Sequence, residues 1–264
     1  MATPETVRSD PRYRELPISE QDRVEFLNSR GEKDPRCPIC KDKLLVYITP
    51  TLAHPCECKA NRDNERAIAS SGLTADLKLK TFSTFQTRHQ WQLGLKQAAI
   101  SFCEDNGKWF FAGGQVGCGK THICTAIINE LMGKGRRAKY MVWPTEVDSI
   151  KGNAEDSGRA IDRLMNVPVL YIDDFLKTSK ERKVDRNGAL YVDIKAPTPG
   201  ELNAAFRLIC HRYNSGATTI ISSEFTVENI MAYDLGLGSR IHEKTKGYQL
   251  IIGPDDSKNM RIAE

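Results

Sequence analysis

No apolar run in this chain approaches the roughly 18 residues that a membrane-spanning helix needs, so no membrane span is expected. The opening stretch, MATPETVRSDPRYREL, has no apolar core and does not read as a signal peptide. Internal repeats and low-complexity tracts are also missing, which argues against solenoids and disordered arrays. A strong excess of one charge is absent too. The formal net charge of +4 permits contact with nucleic acid without arguing for it. What remains, 27% charged and 40% hydrophobic residues over 264 positions, suits a globular α/β domain with a small appendage. The eight cysteines carry no disulfide pattern. Four cluster in one short segment and four are scattered, which suggests a metal site plus buried thiols in a reducing, cytoplasmic setting.

Residues 1–18 are polar, contain three prolines and promise little order. SEQDRVEFLNSR then reads as a short helix, capped by Ser19 and ended at Gly31, with Val24, Phe26 and Leu27 on one rough apolar side. Such a helix either docks on a partner or packs on the neighbouring cysteine module. In that module Cys37 and Cys40 are two residues apart, and Cys56 and Cys58 follow across KLLVYIT, which reads as a strand. Two thiol pairs on a folded-back chain supply the four tetrahedral ligands that zinc requires. The second pair has a single intervening residue, a less usual spacing, and His54 is an alternative ligand to one cysteine. A polar linker, KANRDNERAIASSGL, with helical character towards its end, closes this N-terminal region at residue 72; residues 73–264 form the larger domain. TFSTF and a helix around HQWQLGLKQAAISFCEDNG come next, with Trp91, Leu95, Ala98 and Ala99 as core candidates. Beyond them strand and helix alternate. Strands are expected at 109–112, 138–143, 167–172, 218–222 and 247–252, with a long loop after the third. Their nearly continuous apolar character predicts a buried parallel sheet with helices on both faces.

At the end of the first of these strands stands GGQVGCGKTH. Gly114, Gln115, Val116, Gly117, Cys118, Gly119, Lys120 and Thr121 fill every position of G-x-x-x-x-G-K-[ST], and His122 follows. The glycines let backbone N–H groups converge on phosphate oxygens, and the helix beyond adds its positive end. Lys120 is placed to reach the β- and γ-phosphates and Thr121 to ligate Mg²⁺. In VPVLYIDDF the apolar strand runs into two carboxylates. Asp173 is expected to hold Mg²⁺ across from Thr121, and Asp174 to orient or deprotonate the attacking water. Together these residues predict hydrolysis of Mg-ATP.

With these motifs in order, the chain resembles the DnaC/DnaI-type replicative helicase loaders, AAA+ ATPases of bacteria and phages. The resemblance runs from about Cys37 to the C-terminus and rests on the cysteine module joined to SSGL and TFSTF, then GGQVGCGKT, YIDDF, TTIISSEFT, GSRI and the terminal NMRI. The form with SSE looks more like phage and prophage loaders than chromosomal ones. The resemblance implies an AAA+ sheet of order 5-1-4-3-2 behind a zinc-binding domain. It implies assembly through AAA+ interfaces, with Arg240 of GSRI as an arginine finger reaching a neighbour's ATP and Arg261 near phosphate. It also implies two partners: a hexameric, DnaB-type helicase gripped by the N-terminal region, and single-stranded DNA. One position departs from the pattern. Glu224 stands where AAA+ proteins often carry Asn, and Asp174 where they often carry Glu. An ionised Glu accepts hydrogen bonds where Asn donates one. Glu224 either shares water positioning with Asp174, with slow intrinsic turnover as the result, or pairs with a nearby cation.

The densest basic runs, KGRRAKY (134–140) and KTSKERKVDR (177–186), are candidate DNA-contacting surfaces or simply solvated faces. Other readings remain open: a transposition-helper ATPase, against which the cysteine module counts; a small-molecule kinase, for which no acceptor pocket is evident; and a nucleotide-switched DNA-binding module with little hydrolysis.

Overall fold

A computed structural model of the chain describes residues 4–56, 58–59, 62, 69–105, 108–151, 155–178, 180–184, 190–194 and 196–260. The chain divides into two units, Met1–Arg66 and Ala67–Glu264.

The first unit holds α1 (Pro4–Ser9), α2 (Pro11–Arg14), α3 (Ile18–Ser29) and an antiparallel hairpin of β1 (Leu45–Tyr47) and β2 (Ala53–Pro55). The hairpin lies between the two cysteine pairs, as KLLVYIT suggests. Helix α3 starts one residue before Ser19, with Pro17 at the cap position and no side-chain cap, so Ser19 lies inside the helix. Pro17, at φ −56°, suits helix entry but has no side-chain acceptor for the first-turn amides. Val24 is fully buried with Val7, Tyr13, Val46 and Ile48 around the cysteines, while Phe26 remains exposed. The helix therefore packs on its own module. Asn28 ties it to the hairpin, donating to the Tyr47 carbonyl at 2.9 Å and accepting from the Tyr47 amide at 2.8 Å.

The second unit begins before residue 73. Ser71 accepts the Tyr140 amide through its carbonyl at 2.6 Å, and Leu73 is buried in the main core. Its elements are α4 (Ala75–Lys78), α5 (Gln90–Phe102), β3 (Trp109–Gly114), α6 (Lys120–Gly133), β4 (Ala138–Val142), α7 (Trp143–Ile150), α8 (Glu155–Asn166), β5 (Val169–Asp173), β6 (Lys180–Val184), β7 (Leu190–Ile194), α9 (Pro199–Ser215), β8 (Thr218–Ser222), α10 (Val227–Tyr233), α11 (Leu235–Lys244) and β9 (Gln249–Ile252). Five parallel strands lie in the order β4-β5-β8-β3-β9. Numbered along the chain, that is the order 5-1-4-3-2 which the resemblance implies.

Alternation along each strand divides the core. Trp109 and Phe111 face a layer built with α7 to α11; Phe110 and Ala112 face α5 and α6. Each fully buried large side chain contributes roughly 1.5–3 kcal/mol, so this double-sided burial holds the sheet firmly and with it the loops at its carboxyl edge. Leu95 and Ala99 are core residues, as their spacing predicts, with Trp91 packed beside them.

Three local expectations are corrected. Residues 4–14, where little order was expected, form α1 and α2, because Val7 and Tyr13 are buried in the core of the first unit. The loop after β5 contains a two-stranded antiparallel hairpin, β6–β7, pairing Lys180 with Ile194 through Val184 with Leu190. The helical stretch 227–245 is two helices, because Asp234 leaves helical geometry at φ −152° and accepts the Leu237 amide at 2.8 Å, capping α11. The helical character expected in the linker KANRDNERAIASSGL falls largely outside the described residues.

Candidate active site

Strand β3 is flanked by β8 and β9, and its apolar residues leave Gly114 at the carboxyl edge of the sheet. Gly114 has φ 101°, and a Cβ there would run into the Ile252 carbonyl. Only glycine allows the chain to turn this close to β9. The loop is pinned from several sides. The Gln115 amide donates to the Ile252 carbonyl at 3.0 Å, and its side chain donates to the Asp255 carbonyl at 2.7 Å. Cys118 is fully buried and donates to the Gln115 carbonyl at 2.9 Å, while the Met260 amide donates to the Gly117 carbonyl at 3.0 Å. Gly119 sits at φ 89° immediately before α6, packed under the Met260 methyl group.

Lys120 turns back over the loop, its Nζ donating to the carbonyls of Gly114 at 2.8 Å and Gln115 at 2.5 Å. Burial lowers its pKa, opposed by nearby groups that include Glu224 and Asp174. A buried ammonium held by two carbonyl oxygens and a thiol sulfur is ready to exchange them for a phosphate. A cleft of about 220 Å³ opens here, lined by Val116, Gly117, Gly119, Lys120, Thr121 and His122 together with Asp174, Lys177 and Glu224. His122 also faces the 81–85 segment: its Nε2 lies 3.2 Å from both Thr84 Oγ1 and the Thr81 carbonyl, and its ring meets the Phe85 ring edge-on.

Strand β5 carries Asp173 to the same edge. Thr121 Oγ1 donates to Asp173 Oδ1 at 3.2 Å, which puts the hydroxyl and the carboxylate where one Mg²⁺ could meet both. Asp173 is buried and well supplied with donors: Tyr140 at 3.0 Å, Tyr171 at 2.9 Å, the Asp174 amide at 3.1 Å and a short bond from Ser222 Oγ. Sequence reading missed these supports. Tyr140, Tyr171 and Ser222 look like ordinary strand residues until β4, β5 and β8 become neighbours.

Beside this pair stand the residues of the departure. Glu224 follows β8 and does have a cationic partner: Lys177 Nζ lies 3.1 Å from Glu224 Oε1 and 2.9 Å from Asp174 Oδ2. Arg240, on α11, lines neither this cleft nor the adjoining one of about 690 Å³. Its guanidinium donates to the Gly236 carbonyl at 2.7 Å and lies over the rings of Phe206 and Tyr213, at 5.3 and 5.8 Å. Arg261 lies outside the described residues. Of the two basic runs, 134–140 is engaged within the fold: Lys134 pairs with Glu104 at 2.6 Å and Arg136 donates to Thr218 Oγ1 at 2.8 Å.

In the first unit the Sγ atoms of Cys37, Cys40, Cys56 and Cys58 all lie within 4.8 Å of one another. Tetrahedral zinc with bonds of about 2.3 Å sets its sulfurs about 3.8 Å apart, and the Cys37–Cys56 pair is at 3.8 Å. His54 sits on β2 opposite Val46 and is outside the cluster, so the ligand set is four sulfurs. Asp42 shapes the first pair by accepting the amides of Cys37 and Arg36, at 3.0 and 3.1 Å. Burial alone would raise the Cys37 pKa; hydrogen bonds from the Cys40 and Ile39 amides and from Cys58 bring it down to about 7. The spacing of the four sulfurs fits tetrahedral zinc.

No model of a known protein family matches the chain. Two proteins of Bacillus subtilis (strain 168) are similar to it. Uncharacterized protein YqaM is 29% identical over 230 residues, covering 82% of this chain and 69% of its own. Phage-like element PBSX protein XkdC is 27% identical over 234 residues, covering 82% of each. Among solved structures, DnaI superposes with a TM-score of 0.52 at 17% identity, over 71% of this chain and 94% of its own. The DnaC helicase loader gives 0.50 at 17%, over 69% and 100%. AMPPCP-bound DnaA from Aquifex aeolicus gives 0.51 at 18%, over 72% and 53%. At these identities the likeness establishes the fold: the chain carries the AAA+ architecture of DnaI, DnaC and DnaA, and its similarity to a phage-like element protein fits the phage-type variant of the resemblance. No helix among the described residues is long and apolar enough to cross a membrane.

Proposed function

We propose that this protein is an ATP-hydrolysing loader for a hexameric, DnaB-type replicative helicase, acting in the cytoplasm on single-stranded DNA. The observation that supports it most is the convergence of Lys120, Thr121 and Asp173 on one cleft, with Thr121 Oγ1 3.2 Å from Asp173 Oδ1, in a fold shared with DnaI and DnaC. The loop from Gly114 to Gly119 surrounds the phosphates with its amides, and the start of α6 faces them with its positive end. Lys120 exchanges the Gly114 and Gln115 carbonyls for phosphate oxygens. Magnesium, when bound, supplies charge that neutralises those oxygens, and Thr121 and Asp173 would hold it. Asp174 orients the attacking water and accepts its proton.

Arg240 serves a neighbouring copy. Since it lines neither cleft of its own chain, the guanidinium that stabilises charge on the terminal phosphate comes from the adjacent protomer, which makes turnover depend on assembly. The zinc-bound first unit grips the helicase, and the hairpin β6–β7, whose first arm KERKV is basic, meets the DNA backbone. ATP thus times a protein–DNA assembly, and its hydrolysis releases the loader.

The test is turnover by the full chain alone, and then with a hexameric replicative helicase and single-stranded DNA. An increase of at least about a hundredfold is expected, a modest share of the roughly 10³–10⁵ that an arginine finger supplies. Equal rates with and without the two partners would sink the loader reading.

A further inference from the structure

The turn that leaves β5 is built in a way the phosphate loop does not require. Asp174 and Leu176 both take left-handed backbone, at φ 54° and 58°. For residues other than glycine this conformation costs on the order of 1 kcal/mol or more each, and such turns persist only where surrounding contacts impose them. Here they do. The Phe175 amide donates to the Ser222 carbonyl at 2.8 Å, and Ser223 Oγ donates to the Phe175 carbonyl at 2.7 Å. Phe175 and Leu176 are buried, and the Lys177 amide closes the turn on the Asp174 carbonyl at 3.0 Å. The outcome is that Lys177 doubles back and joins Lys120, Thr121 and the phosphate loop in lining one cleft.

Its ammonium stands between two carboxylates, 2.9 Å from Asp174 and 3.1 Å from Glu224. Burial lowers the Lys177 pKa, but the hydrogen bonds and charges of Asp174 and Glu224 outweigh it and raise the pKa above the ordinary lysine value. The lysine is therefore charged at neutral pH. A half-exposed ion pair alone gains about 0–1 kcal/mol, too little to account for two strained residues that place it. The electrostatics of the cleft offer a better account. Asp174 and Glu224 both line it, and Asp173 lies behind them, so a triphosphate entering the cleft would face this negative wall. Glu224 lines the cleft as a carboxylate and has no proton to donate to a phosphate there.

We infer that Lys177 is the chain's own donor to the terminal phosphate, supplying the positive charge and the proton that Glu224 cannot, so that the Asp174–Lys177–Glu224 cluster distinguishes a nucleoside triphosphate from a diphosphate. Without nucleotide, the ammonium holds the two carboxylates together. With a triphosphate it is shared with the terminal phosphate, and the carboxylates are left to hold the water. With a diphosphate it stays with the carboxylates. This rests on the reading of the cleft as a nucleotide site.

The experiment measures dissociation constants of the full chain for Mg-AMPPCP and Mg-ADP by calorimetry, for the natural sequence, Lys177→Met, Lys177→Arg and Lys177→Met with Glu224→Gln. In Lys177→Met, affinity for AMPPCP is expected to fall about tenfold or more relative to that for ADP, the magnitude of one charge-assisted hydrogen bond. Lys177→Arg keeps most of the discrimination. Glu224→Gln recovers part of what the Met variant loses, because it removes the carboxylate that Lys177 had neutralised. A merely structural lysine would change both affinities together, so an unchanged AMPPCP-to-ADP ratio in Lys177→Met overturns the inference while leaving the nucleotide site standing. Failure of the natural sequence to bind either nucleotide would overturn both.

Discussion

At the scale of single residues, the positions that sequence could identify are those whose chemistry demands a fixed spacing. A phosphate loop needs its glycines, lysine and threonine in one order; Gly117, Gly119, Lys120 and Thr121 meet in one cleft, and Gly114 lines the adjoining one. Residues that act only through tertiary neighbours left no such mark. Arg212 is the clearest example. In sequence it is one charge on a helix. In the fold it is fully buried on α9, donating to Thr219 Oγ1 at 2.9 Å and to the carbonyls of Leu164 (2.9 Å), Val167 (2.9 Å) and Thr218 (2.6 Å). It ties the end of α8 to the start of β8, the strand that carries Ser222 to Asp173. Removing the guanidinium would strand buried carbonyls and open a cavity. Arg212→Ala should therefore lower unfolding stability by about 3–5 kcal/mol in urea titrations, and Lys at this position should recover little, since an ammonium lacks the planar fork. A loss under about 1 kcal/mol would mean that water replaces the guanidinium without penalty.

At the scale of elements, the five core strands were legible because each is largely apolar; β8 has the expected ends, and the other four differ by one or two residues. It failed where an element depends on its partner. KERKV looks like a solvated charge run, and only its pairing with LYVDI makes it a strand. The α10–α11 break was hidden because Asp234 reads as one more polar helix residue until its side chain is seen capping Leu237. The cysteine module is a third case: pair spacing announced the ligands, and the fold explains why they are needed. The apolar side chains buried around them are Val7, Tyr13, Val24, Val46 and Ile48, a small core for a unit of this size. Four unbridged thiols this close together suit a metal as the staple. The purified chain should contain one zinc per molecule. Chelation should expose α3 and the β1–β2 hairpin to limited proteolysis, read by mass spectrometry, while fragments of the second unit stay protected. Equal protection of residues 4–59 with and without chelator would show that the module folds without metal.

At the scale of the whole molecule, the sheet order came from resemblance, since apolar runs alone do not say which strand lies beside which. The order decides function, because it brings the carboxyl ends of β3, β5 and β8 together and leaves α11 to carry Arg240 elsewhere. Its guanidinium, spread over Phe206 and Tyr213, is held in place by its own chain and lines neither cleft of that chain. On the proposed reading, a cation prepositioned in this way completes the site of another copy. Lys120→Ala should abolish nucleotide binding. Arg240→Ala should bind nucleotide normally yet lose at least about a hundredfold in helicase- and DNA-stimulated turnover. Mixing the two variants tests the geometry directly. A Lys120→Ala protomer still offers Arg240, and an Arg240→Ala protomer still offers an intact phosphate loop, so the mixture should regain stimulated ATP turnover that neither variant has alone. A mixture as inactive as its components, under conditions where the natural chain is stimulated, would place Arg240 outside the reaction and leave each protomer to complete its own site.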